Sequence, residues 1–284
     1  MSKDILISND SLSVKISTFG AELKSIKKNG KEKLWDGNPD VWSGQAPILF
    51  PICGGLKEDR YIYKDNEYTL KKHGFARQSE FTVESNDKNS ATFLLKYDDD
   101  SLKCFPFEYE LRIKYTITEN SLNVDYIVKN IGKDTMCFSV GAHEAYACPE
   151  GIEEYTVIFD KNEDLNASVL NGNLLTDKIE TIKKNAKELP LDYKYFAIDA
   201  LVFLNLKSRK VSLKNNLTNE CIDVCFDGAD YLLLWTKPDA KYICIEPWCG
   251  VPDFEGSSYD ITEKRGIIPL KSNDTYTYTH IISF

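Results

Sequence analysis

The sequence has no long apolar run, and its N-terminus is polar. No segment approaches the ~18 consecutive apolar residues of a membrane span, so no transmembrane helix is predicted. The chain begins Met1-Ser2-Lys3-Asp4 and then alternates polar and apolar residues. It lacks the continuous apolar region and small-residue cleavage site of a signal peptide. We therefore expect a cytoplasmic protein without a membrane partner.

Cysteine motifs are absent, although cysteine itself is not scarce. None of the eight cysteines forms a Cys-x-x-Cys pair, and their spacing matches no zinc-binding pattern. In a reducing compartment such residues serve as small hydrophobic core side chains, so neither a disulfide nor a metal site is predicted. Cys221 and Cys225 lie four apart in a strand-like run, which predicts that both face the same side of that strand.

Basic charge is in short supply. The chain has 35 Lys and Arg against 44 Asp and Glu, for a formal net charge of -9. An acidic chain without a basic domain is a poor binder of nucleic acid, so no such partner is expected. We interpret the Lys-rich stretch from Lys24 to Lys33 as a solvated turn. No Gly-x-Gly-x-x-Gly follows a strand and no Walker-type loop occurs, which argues against dinucleotide and nucleoside-triphosphate cofactors.

What the sequence does have is strict alternation of polar and apolar residues. Residues 109–115, 122–128 and 276–281 alternate with a period of two, and Asn29-Gly30 and Asp227-Gly228 mark turns. This pattern is typical of half-buried strands joined by short turns. It predicts an all-β protein of two large, mostly antiparallel sheets packed face to face, with residues 1–284 forming a single domain.

Helical patterns are scarce. A short helix is predicted near residues 100–104, ending before Pro106, and another is predicted between Asp177 and Glu188. The segment from Asp160 to Lys194 is the most polar and the least periodic. Because the strand pattern continues in the same style on both sides, we interpret this segment as an excursion from one domain rather than as a linker.

The three histidines are the first candidates for chemistry. His280 lies within the last alternating strand and is interpreted as structural. His73 begins the run His73-Gly74-Phe75-Ala76-Arg77, where a glycine allows close approach to a ligand and Arg77 offers a planar set of donors for hydroxyls or a phosphate. His143 follows an apolar strand, at a position where loops carry function. For His73 and His143 a structural role is an equally open alternative.

One carboxylate has an unusual setting. Glu246 ends the apolar run 242–245 and is followed by Pro247 and Trp248. A carboxylate at the end of a buried strand is costly unless it has a partner, so Glu246 is either a site residue or half of a buried ion pair. The run 42–55 mixes apolar residues with proline and glycine, and it is either a core crossing or the wall of a pocket.

Five motifs in this order resemble the aldose 1-epimerase (mutarotase) family, in particular its LacX-like branch. The resemblance implies the galactose mutarotase-like β-supersandwich fold and the interconversion of the α and β anomers of a free aldohexose, without a cofactor. The motifs are Gly20-Ala21-Glu22-Leu23, Ala46-Pro47-Ile48-Leu49-Phe50-Pro51, His73-Gly74-Phe75-Ala76-Arg77, Gly141-Ala142-His143 and Ile245-Glu246-Pro247-Trp248.

The resemblance also implies catalytic roles. By this likeness His143 is the general acid, Glu246 is the general base, and His73 contacts the sugar near its ring oxygen. Opening a hemiacetal requires a base to take the proton of the C1 hydroxyl and an acid to protonate the ring oxygen. A carboxylate and an imidazolium on either side of that bond supply both transfers.

Further residues are expected to hold the sugar. The resemblance implies that Arg77 binds hydroxyls or an anionic group and that Asp199, which precedes an apolar run, binds substrate. Trp248 or Phe50 would stack on the apolar face of the sugar ring. The chain departs from the family where relatives commonly have proline after the Gly-Ala-His motif and this sequence has Glu144.

Two alternatives stay open at this stage. Arg77 could meet a phosphate, which would make the substrate a hexose 6-phosphate. The chain could also be a sugar-binding or regulatory protein that keeps the fold without turnover. The sequence fixes neither the sugar nor the oligomeric state.

Overall fold

The structure is a computed structural model that describes residues 2–284. Near the N-terminus, β1 (Asp4–Ser8), β2 (Leu12–Ser17), β3 (Leu23–Lys28) and β4 (Lys31–Glu32) form a four-stranded antiparallel sheet. The turn between β3 and β4 is tight, with two successive residues at positive φ. The Lys-rich stretch is therefore a hairpin whose tip is the solvated turn, rather than a turn throughout.

The remaining described residues, up to 284, add eighteen strands, one α-helix and short 3-10 turns. The turns span Lys57–Asp59, Ala76–Gln78, Ile152–Glu154, Tyr193–Phe196 and Ile261–Glu263, and the helix α1 spans Asp99–Cys104. The strands are β5 (Arg60–Tyr63), β6 (Asn66–Thr69), β7 (Thr82–Asn86), β8 (Ser90–Lys96), β9 (Tyr109–Thr118), β10 (Ser121–Asn130), β11 (Met136–Phe138), β12 (Val140–Gly141), β13 (Glu144–Ala147), β14 (Tyr155–Asn171), β15 (Leu174–Pro190), β16 (Leu201–Phe203), β17 (Lys210–Asn215), β18 (Cys221–Cys225), β19 (Tyr231–Trp235), β20 (Tyr242–Cys249), β21 (Ile268–Leu270) and β22 (Thr275–Ser283).

Fourteen of these strands form one continuous antiparallel sheet. Its order is β12-β20-β19-β16-β14-β17-β18-β22-β10-β9-β8-β7, with β13 also paired to β20 and β15 to β14. Two further pairs, β5-β6 and β11-β21, stand apart from it. The predicted all-β class with large antiparallel sheets is confirmed. The expected separation into two large sheets is not seen, because β22 pairs with both β18 and β10 and joins the two halves.

A shared core explains why polar and apolar residues alternate along the strands. In β9 and β10 every second residue is buried, as the period of two predicted. One contiguous core cluster takes Val14 from the four-stranded sheet, Ile113 and Val124 from one half of the large sheet, and Val211 and Ile245 from the other half. The large sheet therefore folds back over this core, which both of its halves and the small sheet cover.

One predicted helix is confirmed and the other is wrong. Helix α1 begins after Asp98, whose carboxylate accepts a 2.7 Å hydrogen bond from the Ser101 backbone N–H, and it ends before Pro106. The predicted helix between Asp177 and Glu188 is strand β15. The excursion 160–194 is largely the long hairpin of β14 and β15. Most β15 side chains are exposed, so no buried face imposes alternation on its sequence.

The cysteines follow the core prediction in part. Cys53, Cys137, Cys148, Cys244 and Cys249 are buried, and all eight cysteines are free thiols. Cys221 is exposed, contrary to the core interpretation, because it opens β18 on the strand's outer face. Cys225 is half-buried on that same face, as the spacing predicted.

The described part of the chain contains no helix that is long and apolar enough to cross a membrane.

Two buried tyrosines in neighbouring strands provide a matched test of this core. The Tyr115 hydroxyl donates a 2.7 Å hydrogen bond to the Ala21 carbonyl, whereas the Tyr126 hydroxyl has no partner among residues 2–284. We expect Tyr115→Phe to lower the free energy of unfolding by about 1–2 kcal/mol, because a buried carbonyl loses its donor. Tyr126→Phe should cost close to nothing, since it removes an unsatisfied hydroxyl. Urea denaturation of both variants checks this, and equal losses would contradict it.

Candidate active site

A cavity of about 450 Å³ opens beside the central part of β19 and β20. Its size and mixed polar and aromatic lining are those of a small-molecule site. The structure brings six of the seven predicted site residues to its wall. These are His73, Arg77, His143, Asp199, Glu246 and Trp248.

Strand pairing places the predicted acid and base side by side. All eight residues of β20 are buried, and β13 pairs with it so that Glu144 lies opposite Ile245. Successive side chains of a strand leave opposite faces, so Glu246 leaves the face away from Ile245 and enters the cavity. His143, just before β13, enters from the same side. Its Nε2 lies 3.4 Å from Glu246 Oε2.

Aromatic rings fix the orientation of His143. The ring of Trp42 stacks on it, with centroids 5.2 Å apart and an interplanar angle of 28°, and Trp235 meets it edge-on at 5.7 Å. The Trp248 indole N–H donates a 2.9 Å hydrogen bond to the Ala142 carbonyl, which holds the backbone just before His143. Trp42 and Trp235 are partly exposed, so they offer open aromatic surface to the cavity.

Burial pulls both members of the pair toward their neutral forms. It lowers the pKa of His143 to about 3 and raises the pKa of Glu246 well above its usual range. The ammonium of Lys72 acts in the opposite direction on Glu246 and favours the carboxylate. Burial therefore favours a proton on the carboxyl group rather than on the imidazole.

His73 is held by a strained backbone and by two hydrogen bonds. It adopts φ 68°, which is rare for a residue with a side chain. Its N–H donates to the Gly54 carbonyl at 2.8 Å, and its Nδ1 accepts from the Gly54 N–H at 3.2 Å. The neutral ring consequently carries its proton on Nε2, and burial lowers its pKa well below the usual range. Gly74 is required beside it, because a Cβ there would lie 2.3 Å from the Phe50 carbonyl oxygen.

Cationic groups and one further carboxylate complete the polar wall. Arg77 donates from Nη2 to the Lys72 carbonyl at 3.2 Å, and its buried Nε has no partner within the described residues. Lys72 and Lys237 also line the cavity. Asp199 lies on the loop after the 3-10 turn Tyr193–Phe196, and its Oδ1 accepts a 2.8 Å hydrogen bond from the Ala200 N–H.

Phe50 is the one predicted site residue that the structure keeps away from the cavity. It is fully buried in the main core and packs against Phe75, Phe105, Tyr109 and Phe138. Its ring cannot stack on a sugar from there, which corrects the expectation for this residue. Most of the run 42–55 is likewise a core crossing, while Trp42 and Gly54 at its two ends reach the cavity.

Glu144 faces away from the cavity. It shares the core face with Ile245, and its Oε1 lies 3.2 Å from His280 Nε2 on β22. Both side chains are buried, with exposures of 1% and 0%. The unusual Glu144 therefore faces the interior with His280, which agrees with the structural interpretation of that histidine.

Sequence reasoning missed several residues of the cavity wall. Trp235 comes from a distant strand, and only folding brings it to His143. Trp42 begins the run 42–55, which was a candidate pocket wall, but the sequence did not single this residue out. The tip of the β14–β15 hairpin contributes Leu170 and Asn173. Lys72 directly precedes the motif that begins with His73, and this neighbourhood was the one signal in the sequence that it belongs to the cavity.

One group of side chains here is of the kind that holds a metal. His143, Cys244 and Glu246 are all buried, and one ligand atom from each lies close to the others. The cysteine spacing alone gave no sign of it, because the three residues are not a sequence motif.

This curved antiparallel sheet, with its cavity beside the central strands, defines the galactose mutarotase-like class of β-sandwich proteins. A solved structure described as a galactose mutarotase related enzyme from Lactobacillus acidophilus superposes with a TM-score of 0.94 at 32% identity, covering 99% of this chain and 97% of that one. A galactose mutarotase-like protein from Lactobacillus casei ATCC 334 superposes with a TM-score of 0.93 at 27% identity, covering 99% of both chains.

Sequence comparison agrees with the fold. The chain is 38% identical over 262 residues to the plasmid-encoded protein LacX of Lactococcus lactis subsp. lactis, a match that covers 87% of this chain and 88% of LacX. The sequence model of the aldose 1-epimerase family matches residues 3–283. The chain belongs to the aldose 1-epimerase family, a family of carbohydrate epimerases.

Glu246 should lower stability in a pH-dependent way. Its pKa is raised on folding, so between the unfolded value of about 4.3 and the higher folded value the native state holds more protons than the unfolded state. Stability in this window falls as pH rises. We expect Glu246→Gln to unfold at a higher temperature than the wild type at pH 7–8, with the difference vanishing below about pH 4. Thermal melts across this pH range measure it, and a destabilised variant at pH 8 would contradict it.

Proposed function

We propose that this protein is an aldose 1-epimerase that interconverts the α and β anomers of a free aldohexose. The observation that carries the proposal is the buried pair of His143 and Glu246, 3.4 Å apart on the wall of a cavity sized for a small ligand. Membership of the family supplies the reaction class. We further propose that the chain acts as one domain, since a shared core underlies both halves of the sheet.

The reaction needs one proton acceptor and one proton donor. Glu246 takes the proton of the C1 hydroxyl, and His143 gives a proton to the ring oxygen as the C1–O5 bond breaks. The open aldehyde rotates about C1–C2 and closes on its other face, with both protons returning. Two groups on the same wall serve both steps without moving, because ring opening and ring closure use the same two oxygens.

The protonation state of the pair fits a two-group cycle. Burial favours the neutral forms, so the pair holds one proton that resides on Glu246 before a sugar enters. The Lys72 ammonium favours the carboxylate, which is the form that a general base requires. Moving the proton to His143 produces the charged acid and base together. Such coupled groups titrate as a pair rather than as two separate residues.

The remaining residues would orient the sugar. His73 presents its Nε2–H as a donor, and Arg77 offers its unpartnered Nε. Asp199 supplies an acceptor at the outer wall. Trp248 is only 2% exposed and its N–H is already bonded, so the partly exposed Trp42 and Trp235 provide more ring surface for stacking.

Polarimetry of freshly dissolved α-D-galactose and α-D-glucose tests the proposal. The protein should speed the approach to the equilibrium rotation of at least one sugar. Glu246→Gln should reduce this enhancement by about 10²-fold or more, because loss of a general base typically costs 10²–10⁴-fold. The amide keeps the shape of the side chain but cannot accept the proton.

Glu67→Gln is the control, since Glu67 is exposed on β6 and does not line the cavity. This variant should keep the wild-type rate. Normal activity in Glu246→Gln would refute the assignment of the base. Saturable sugar binding without any acceleration by the wild type would instead identify a sugar-binding protein that keeps the fold.

A phosphorylated sugar is the second candidate, and the cations of the cavity favour it. Lys72 directly precedes the motif that ends with Arg77, and both line the same wall, with Lys237 nearby. An arginine with an unpartnered Nε beside a lysine is suited to a phosphate. On this reading the substrate is a hexose 6-phosphate, and the acid–base chemistry is unchanged.

Lys72→Met separates the two substrates. If a phosphate is bound, kcat/KM for glucose 6-phosphate should fall about tenfold or more while that for glucose changes less, because a charge-assisted hydrogen bond is lost. Lys71→Met is the matched control, since Lys71 is exposed and does not line the cavity. An equal loss on both sugars would exclude a phosphate contact at Lys72. The loss would then be explained by the influence of the Lys72 ammonium on the pKa of Glu246.

A further inference from the structure

A buried thiol lies next to the acid–base pair, and the proposed sugar chemistry does not use it. An imidazole nitrogen of His143, the Cys244 sulfur and a carboxylate oxygen of Glu246 all lie within 4.8 Å of one another. Cys244 and Glu246 are two residues apart in β20, so their side chains leave the same face of the strand.

The spacing is close to that of a tetrahedral metal site. Bonds of about 2.0–2.2 Å from Zn²⁺ to nitrogen and oxygen place neighbouring ligand atoms about 3.3–3.6 Å apart. The 3.4 Å between His143 Nε2 and Glu246 Oε2 falls within this range. The thiol sulfur lies at most 4.8 Å from the other two ligand atoms, so side-chain shifts of about 1 Å would bring all three within bonding distance of one ion.

The donor types select a particular class of metal ion. A thiolate, an imidazole and a carboxylate suit Zn²⁺ and similar borderline ions, whereas Mg²⁺ and Ca²⁺ prefer oxygen ligands alone. Metal binding would displace the thiol proton of Cys244 and the carboxyl proton held by Glu246, and both protons would pass to solvent. Three protein ligands leave a fourth position, which opens toward the cavity.

We propose that His143, Cys244 and Glu246 form a binding site for Zn²⁺ that inhibits the enzyme. The bound ion takes up the lone pairs that the two acid–base groups need, so metal and sugar compete. The inhibition rests on the proposed mutarotase function, whereas the metal site itself does not.

Cobalt provides a direct test of the ligand set. Metal-free protein titrated with Co²⁺ should show the intense visible bands of a tetrahedral site and a near-ultraviolet thiolate-to-cobalt band, both removed by Zn²⁺. Calorimetry should give one Zn²⁺ per chain. Cys244→Ser should lose the thiolate band. It should also weaken Zn²⁺ binding more than about tenfold, which is the loss expected when a residue that only contacts a ligand is removed.

Cys221→Ser is the matched control, because Cys221 is the exposed thiol and the obvious site for adventitious metal. It should bind Co²⁺ and Zn²⁺ as the wild type does. Loss of binding in Cys221→Ser, unchanged binding in Cys244→Ser, or no binding by the wild type would each overturn the proposal. Cys244→Ala serves if melting shows that the serine variant is unfolded.

The kinetic part is measured separately by polarimetry with added Zn²⁺. We expect the apparent KM for the sugar to rise with Zn²⁺ in the wild type, and to rise at least about tenfold less steeply in Cys244→Ser. A cobalt spectrum in a protein without mutarotase activity would leave the site standing and remove the proposed function. Activity unaffected by saturating Zn²⁺ would overturn the inhibition.

Discussion

The antiparallel register between β13 and β20 is the constraint on which this site depends. Because Glu144 lies opposite Ile245, these two side chains share the core face, and Glu246 must leave the other face. A shift by one residue would bury Glu246 in the core and turn Ile245 toward the cavity. Register is strongly specified here, since β20 is buried along its whole length. Strand pairing therefore fixes Glu246 directly, and it fixes the short connection between β12 and β13 that carries His143.

The cavity concentrates features that cost stability. Three such features surround the cavity. They are the buried Glu246 carboxyl group with its raised pKa, the neutral His143 between two aromatic rings, and the left-handed backbone of His73. Each would be removed by selection for stability alone. On the core side of the same strand, Glu144 is buried with its Oε1 3.2 Å from His280 Nε2. The buried strands of the sheet offset these costs and hold the polar groups in place.

The sequence revealed the fold class and the residues whose motifs are local. His73, His143 and Glu246 stand in short runs that resemble the family, and the structure brings them together. Phe50 could not be placed, because the same apolar run can form a wall or a core and only packing decides. Trp235 was missed, and Trp42 was not singled out within the run 42–55, since their contacts join distant parts of the chain. Strand β15 was mistaken for a helix because it has almost no buried face from which a period could be read.

Strand β22 has a consequence for how the protein is made. It follows all other described strands in the chain, yet it lies between β18 and β10 in the middle of the large sheet. Earlier strands can pair while the ribosome is still translating, but the two half-sheets keep open edges at β18 and β10 until β22 emerges. Open edges invite pairing with other chains, so a stalled nascent chain is exposed to aggregation. Pairing of β22 is thus the step that closes both open edges and joins the two half-sheets.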